Sequence, residues 1–460
     1  MDKYSFYLML LALIGCNTGE KELYTVFTGE IINPTSKSIV LLKDDVVVDS
    51  VNLDMFNRFS FNLKNIEEGL YYFRHAPEYQ YIYLNKGDSI LMRLNTFDFD
   101  ESLVFSGKGG DINNFLIDVF LLQEDEKYSI TQYYKLEPKE FSHKLDSLRQ
   151  YKLDLLDEML SEIDVKLSEK TIATAKASID YTNFIAREEY PFKHKRKKGE
   201  KNMHELAGSF YDYRNEIDFN NKNLTYFRPY YDFMKGYFEN LSFKGCKDNC
   251  EHKKEKLRTR LHFNKHKLVL IDSIVKEKEL RDNLFRNVAM TYFLSTHDNT
   301  EKNKVFLEEF SKLSKNNKHI NEINELYNDV TDMQPNNSLP DLVVLNRLNE
   351  KKSLQDIKED NVVFYFWSSK QLRHFENISR RVNKLKLEYP DHHFIGISLD
   401  TDAKSWNATL EKYKLNKEKQ YRAEDSGKVR SKLVINEPNK VIITQKGIIK
   451  NAFADIYSSF

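Results

Sequence analysis

The chain has 460 residues, 40 % hydrophobic and 30 % charged, a composition that belongs to folded proteins and excludes general disorder. Lysine plus arginine balance aspartate plus glutamate at 70 each, so there is no net electrostatic pull toward nucleic acid, and no nucleic-acid-binding motif is present. The length calls for two or three domains, and three cysteines (Cys16, Cys246 and Cys250) are too few for a disulfide framework.

Tyr4 to Ile14 form an apolar run broken only by Ser5. It is too short for a permanent membrane-spanning helix but long enough for the core of a signal peptide. The run ends in Leu13-Ile14-Gly15-Cys16, and the polar stretch Asn17 to Glu22 follows. This resembles the lipobox of bacterial lipoproteins, in which the cysteine is lipidated and becomes the mature N-terminus. The resemblance implies a signal peptide over residues 1–16 and a lipid anchor on Cys16. It places the protein in the cell envelope, at the periplasmic face of a membrane or the cell surface, with the outer membrane favoured. No later segment approaches 18 uninterrupted apolar residues.

Residues 22–110 read as short strands, among them Ile39-Val40-Leu41-Leu42, Phe59-Ser60-Phe61, Tyr71-Tyr72-Phe73 and Tyr81-Ile82-Tyr83-Leu84. Turn residues recur between them at roughly ten-residue intervals, which predicts an antiparallel β-sandwich. Gly29-Glu30-Ile31, Asp49-Ser50-Val51, Gly69-Leu70-Tyr71, Asn85-Lys86-Gly87-Asp88 and Phe105-Ser106-Gly107 together resemble the domain that precedes thioredoxin modules in many Bacteroidota envelope proteins.

From residue 111 to 330 the period becomes helical. Phe141, Leu145, Leu148, Leu155 and Met159 fall on one face, and Leu284 to Tyr327 continue in the same manner. Within this stretch, Lys193 to Lys198 is the densest block of positive charge. A solvated loop between helices is its expected setting, with contact to anionic lipid or lipopolysaccharide as the alternative. Cys246 and Cys250 lie in a turn-rich segment, where an oxidising envelope favours a small disulfide. A metal site with His252, or a redox role in trans, is the lesser reading. Residues 331–340, polar and bearing two prolines, read as a linker.

Strand and helix then alternate through residues 341–460: Val362 to Phe366, a helix from Phe375 to Leu387, a strand from Phe394 to Leu399, a helix near Trp406 to Tyr413, and a hairpin around Gly447. The order β-α-β-α-β-β predicts a mixed sheet covered by helices. Leu339-Pro340-Asp341-Leu342, Phe366-Trp367-Ser368-Ser369, Ile397-Ser398-Leu399-Asp400, Glu437-Pro438 and Gly447 resemble the envelope thiol:disulfide reductases of the TlpA and ResA kind. The resemblance implies a C-terminal α/β thioredoxin-like domain, and with it a multidomain chain of sandwich, helical middle and thioredoxin-like end.

In that family a C-x-x-C pair opens the helix after the first strand. Its two positions fall here on Gln371 and His374, and no cysteine follows Cys250. Such a pair works because the helix N-terminus stabilises the first thiolate and the second thiol resolves the mixed disulfide. Neither glutamine nor histidine does this. The resemblance therefore implies a degenerate redox turn, with Trp367, Ser368, Ser369 and Pro438 left as a surface for a protein or peptide partner. Pro438 would be the family's cis-proline, either keeping the peptide groove open or retained because the turn needs it. A divergent thiol:disulfide oxidoreductase is the alternative. His374 has no carboxylate or second ligand at ligand spacing, and alternation at the entry to a strand points His392 and His393 of Asp391-His392-His393 apart, so no metal or other cofactor is expected.

Overall fold

Alternating apolar residues build eight strands at the start of the chain. They are β1 (Tyr24–Ile32), β2 (Ser38–Lys43), β3 (Val46–Asn52), β4 (Arg58–Lys64), β5 (Gly69–His75), β6 (Glu78–Leu84), β7 (Ser89–Asn95) and β8 (Val104–Lys108). The computed structural model describes residues 24–204, 206–248 and 260–460. Cys16 and Cys250 lie outside these, so neither the lipid anchor nor the Cys246–Cys250 pairing falls within the described residues.

The eight strands form two four-stranded sheets, ordered β4-β1-β7-β8 and β3-β2-β5-β6. In β4, Phe59, Phe61 and Leu63 turn inward while their neighbours face solvent. Phe27 of one sheet meets Phe73 of the other at 5.9 Å between ring centroids, within one cluster of buried residues drawn from both sheets. Gly29 is required beside this cluster, because a Cβ there would lie 2.7 Å from both the Met92 carbonyl and the Phe59 ring. One pairing departs from an all-antiparallel arrangement: β1 runs parallel to β7. The chain leaves β1, builds all of the other sheet, and returns in the same direction.

Three long helices follow, α1 (Gly110–Tyr133), α2 (Pro138–Glu162) and α3 (Glu169–Lys198), then α4 (Arg228–Asp248). Two adjacent asparagines attach α1 to the strands. Asn113 exchanges two hydrogen bonds with the backbone of Tyr83 on β6 (2.7 and 2.9 Å), and Asn114 exchanges two with Phe105 on β8 (both 2.8 Å). Each side-chain amide thus completes a sheet edge as another strand would. Ser168 caps α3, accepting from Thr171 N–H at 3.1 Å, and Gly199 ends it at φ 68. The basic run 193–198 is therefore the last turns of α3 rather than a loop, with its cations at the negative end of the helix. The loop reading fails because His194, in the middle of the run, is fully buried.

Glu188, at the centre of α3, is also fully buried. It accepts hydrogen bonds from Arg214 Nε (2.8 Å), Tyr213 Oη (2.8 Å) and Asn240 Nδ2 (2.9 Å).

The chain divides into two compact units, Met1–Asn240 and Leu241–Phe460. The division falls inside the helical stretch that the sequence groups as one domain. In the second unit α5 (Arg260–Ile274), α6 (Lys278–Ser295), α7 (Thr300–Leu313) and α8 (Ile320–Asp332) precede an α/β region. That region contains β9 (Val343–Leu345), β10 (Lys351–Ser353), β11 (Val362–Trp367), α9 (Leu372–Glu388), β12 (His393–Ser398), α10 (Ala403–Lys412), β13 (Gln420–Ala423), α11 (Ser426–Lys432), β14 (Lys440–Gln445) and β15 (Ile448–Asp455). The sheet order is β10-β9-β13-β12-β11-β14-β15. Strands β13, β12 and β11 run parallel, whereas β14 is antiparallel to β11 and β15 to β14. Every residue of β11 is buried, as a central strand covered on both faces requires.

Residues 331–340 do not behave as a free tether. Thr331 and Asp332 belong to α8, Asn336 N–H donates to the Ile449 carbonyl (3.0 Å), and Ile449 N–H donates to the Asn337 carbonyl (2.8 Å). The segment thereby covers part of the β15 edge. Nearby, the buried Asp329 of α8 holds Lys432 Nζ (2.6 Å) and Ser431 Oγ (3.0 Å) of α11.

Replacing Glu188 with alanine leaves Arg214 without its counter-charge in a nearly closed site. We expect a loss of about 3–5 kcal/mol from the first unit, read as a lower urea midpoint by far-UV circular dichroism. A midpoint within error of the wild type would show that the pair carries no net stability.

Candidate functional site

The C-terminal end of β11 passes through Ser368, Ser369 and Lys370 into α9, the place where the sequence puts its degenerate redox turn. Gln371 N–H donates to the Ser368 carbonyl (3.1 Å), Phe375 N–H to the Gln371 carbonyl (3.0 Å), and Lys370 N–H to Ser368 Oγ (3.3 Å). Gln371 stands at the N-cap without a side-chain cap. The amide of Ser369 donates to Thr401 Oγ1 (3.2 Å), which itself donates to the Leu399 carbonyl (3.0 Å).

Not every sequence-predicted residue is presented on this surface. Trp367 is 2 % exposed and Ser368 5 % exposed, so neither faces a partner as the domain stands. The Trp367 indole belongs to the core because its N–H has an internal acceptor: it donates to Gln420 Oε1 (3.1 Å), and Gln420 Nε2 donates to Tyr365 Oη (2.7 Å). Gly396 makes room for this relay, since a Cβ there would lie 2.2 Å from Gln420 Oε1. What does reach solvent is Lys370, Gln371, Leu372 and Arg373, with Ser369 half-buried.

His374 is half-buried, one helical turn beyond the cap. Neither of its ring nitrogens is exposed or in a hydrogen bond of normal geometry. Burial pushes its pKa below the ordinary histidine value, opposed by the nearby Pro438 carbonyl and Asn439 side chain. The Pro438 turn therefore lies beside His374 on α9. The expected isomer is corrected. Among the described residues the cis peptide bond is Ala76–Pro77, and Glu437–Pro438 is trans. Lys440 N–H donates to the Glu437 carbonyl (3.3 Å), which makes Pro438 the second residue of a four-residue turn, a position that trans-proline fits.

Behind that turn lies a residue the sequence did not single out. Lys440, the first residue of β14, is 5 % exposed, and its Nζ donates to the carbonyls of Leu433 (2.8 Å) and Val434 (2.7 Å). It also sits 4.4 Å from the centre of the Phe453 ring. Burial pushes its pKa down to about 7, with Glu437 pulling the other way. Only its place at the head of an apolar strand distinguishes it among so many surface lysines.

The other histidines raised by the sequence stand apart. His392 packs edge-on against Tyr389 at 5.6 Å, while His393 faces Glu359 at 3.3 Å. The first unit holds a cavity of about 770 Å³ lined by α1, α2 and α3, with Phe120, Ile130 and Leu148 beside Glu126, Lys152 and Glu189. That volume suits a small molecule. Its lining is spread over more than a hundred residues of sequence, and no local motif announces it.

No protein-family model matches the chain, and no curated protein matches its sequence. Solved thiol-disulfide oxidoreductases from Bacteroides match part of it. One, from Bacteroides vulgatus and assigned as a thiol-disulfide oxidoreductase, is 24 % identical, with 28 % of this chain and 92 % of that chain covered and a TM-score of 0.24. The thioredoxin domain of another Bacteroides vulgatus thiol-disulfide oxidoreductase is 18 % identical, covering 25 % of this chain and 85 % of that chain (TM-score 0.21). A thiol:disulfide interchange protein from Bacteroides sp. is 19 % identical, covering 25 % and 78 % respectively (TM-score 0.22).

A lysine whose folded-state pKa lies below its unfolded value binds fewer protons when folded. Stability therefore rises as pH climbs from about 7 toward the unfolded value near 10.4, and the full cost of burial is felt below that window. We expect urea midpoints to increase across this range, by at most about a tenfold change in unfolding constant per pH unit. Lys440→Met should flatten the slope; an unchanged slope would assign the titration to another group.

Proposed function

We propose that this chain is a lipid-anchored cell-envelope protein whose residues 341–460 form a redox-inactive thioredoxin-like domain that binds a protein or peptide partner. One observation carries the reading. The turn that would hold the thiols, at the start of α9, bears Gln371 and His374 beside Pro438, and no cysteine follows Cys250. Strand order supports the scaffold: β12-β11-β14-β15, with the first pair parallel and the next two antiparallel, is the thioredoxin arrangement. The two facing sheets of residues 24–108 are read as a sandwich placed ahead of it.

With Trp367 and Ser368 buried, the partner surface shifts to Ser369, Lys370, Gln371, Leu372 and Arg373, together with the Pro438 turn. A trans-proline there changes which backbone groups the turn offers, so the surface need not recognise what an active reductase recognises. No helix among the described residues is long and apolar enough to cross a membrane. In this reading attachment falls to Cys16.

The competing reading, a divergent thiol:disulfide oxidoreductase acting through Cys246 and Cys250, makes an opposite prediction. With dithiothreitol as reductant, the protein lacking residues 1–16 should leave insulin unreduced, whereas Gln371→Cys with His374→Cys should reduce it at least tenfold faster than background. Wild-type reduction abolished by Cys246→Ser would sink the proposal in favour of the competing one. Silence of the double-cysteine variant would count against the thioredoxin-like scaffold. For the binding half, a partner cross-linked from membranes should be lost with Lys370→Glu and Arg373→Glu; retention would place binding elsewhere.

A further inference from the structure

We propose that His194, Glu200 and His204 bind a divalent transition-metal ion of the zinc type. Gly199 ends α3 in the left-handed region (φ 68), and Glu200 N–H turns back to donate to the Lys195 carbonyl at 3.0 Å. This reversal brings Glu200 and then His204 alongside the last turns of the helix. The ligand atoms of the three residues all lie within 4.8 Å of one another.

His194 carries the inference. It is 0 % exposed, and its Nδ1 lies 2.9 Å from the Tyr134 carbonyl. A carbonyl can only accept, so Nδ1 holds the proton and Nε2 presents a lone pair. That Nε2 is buried and has no hydrogen-bond partner. A backbone carbonyl fixing one ring nitrogen while the other waits unpaired is the usual support of a metal-bound histidine. Tyr190 stacks on the ring at 4.8 Å and holds its plane.

Spacing separates this arrangement from an ordinary ion pair. Glu200 Oε1 is 3.6 Å from His194 Nε2. A charged hydrogen bond would draw them to about 2.7–2.9 Å. Two ligands of one tetrahedral ion, each bonded at about 2.0–2.1 Å, stand roughly 3.4 Å apart. His204 is half-buried, edge-on to His194 at 5.4 Å between centroids, and supplies the third ligand atom of the set. Glu137, 4.0 Å from His204 Nε2, or water would take the fourth position. The nitrogen and carboxylate donors suit zinc, or cobalt as its spectroscopic substitute.

The test uses the full-length chain, stripped of metal and titrated with Co²⁺ and then Zn²⁺. The expected result is one Co²⁺ per chain with visible d–d absorption, displaced by Zn²⁺, and a higher melting temperature with either ion. His204→Ala and Glu200→Gln, both near the surface, should each weaken Co²⁺ binding at least tenfold with melting of the metal-free protein unchanged. Cys246→Ser with Cys250→Ser should leave binding intact. Absence of saturable uptake overturns the site, as does uptake that survives His204→Ala combined with Glu200→Gln, or uptake that follows the two cysteines instead.

Discussion

Glu188 is a carboxylate without solvent, and such a charge is tolerated only where its surroundings replace water completely. Tyr213 and Arg214 from one segment and Asn240 from α4 do so together, which converts one helix into the axis of the first unit. The segment Gly208–Glu216 is a 3-10 helix, whose hydrogen-bond geometry is poorer than that of an α-helix. It is fixed because Tyr213 and Arg214 must reach Glu188. With α3 held in this way, its C-terminal turns are held too, and so is the face that lines the cavity. Both features that give the first unit chemical interest thus depend on a buried ion pair with no ligand of its own.

The second unit solves a different problem. Its sheet would end in a long edge at β15, and such edges invite pairing with other chains. Asn336 and Asn337 cover part of it with backbone hydrogen bonds, and Phe453 on β15 is stacked on His297 at 4.6 Å. Asp329 of α8 grips α11 from below. Residues that look like a linker by composition are therefore edge protection, and the helices before them are bound into the same unit as the sheet. Composition reports that a segment is polar; it does not report whether its backbone has found partners.

Legibility in the sequence followed how local each signal was. The alternation in β4 and the continuous apolar run of β11 were readable because strand period and burial are written in neighbouring residues. The parallel pairing of β1 with β7 was not, since it depends on where a chain returns after building a whole second sheet. Strand β13, with the polar residues Gln420 and Arg422 among four, gave no strand signal; it exists because β12 offers it an edge. Trp367 carries no local sign of being internal, since the Gln420 amide that satisfies its indole is 53 positions away. The basic run at the end of α3 read as a loop because five of its six side chains are cations, and the sixth, His194, is visible as a core residue only once Tyr134 and Tyr190 are packed around it.

Among the described residues, His194, His374 and His392 each have a buried ring nitrogen without a normal hydrogen bond, and the surroundings of the first two separate their roles. Around His374 the nearest polar groups are the Pro438 carbonyl and the Asn439 side chain. Neither supplies the negative charge or second imidazole that a cation needs, and neither can accept electrons or carry a thiol's chemistry. That histidine sits half-buried at the start of α9 with no charged donor facing it. Around His194 the nearest groups are a carboxylate and another imidazole, with a backbone carbonyl fixing the tautomer. The same side chain faces no charged donor in one unit and is a candidate ligand in the other, because coordination depends on the donors that face a nitrogen rather than on the nitrogen itself.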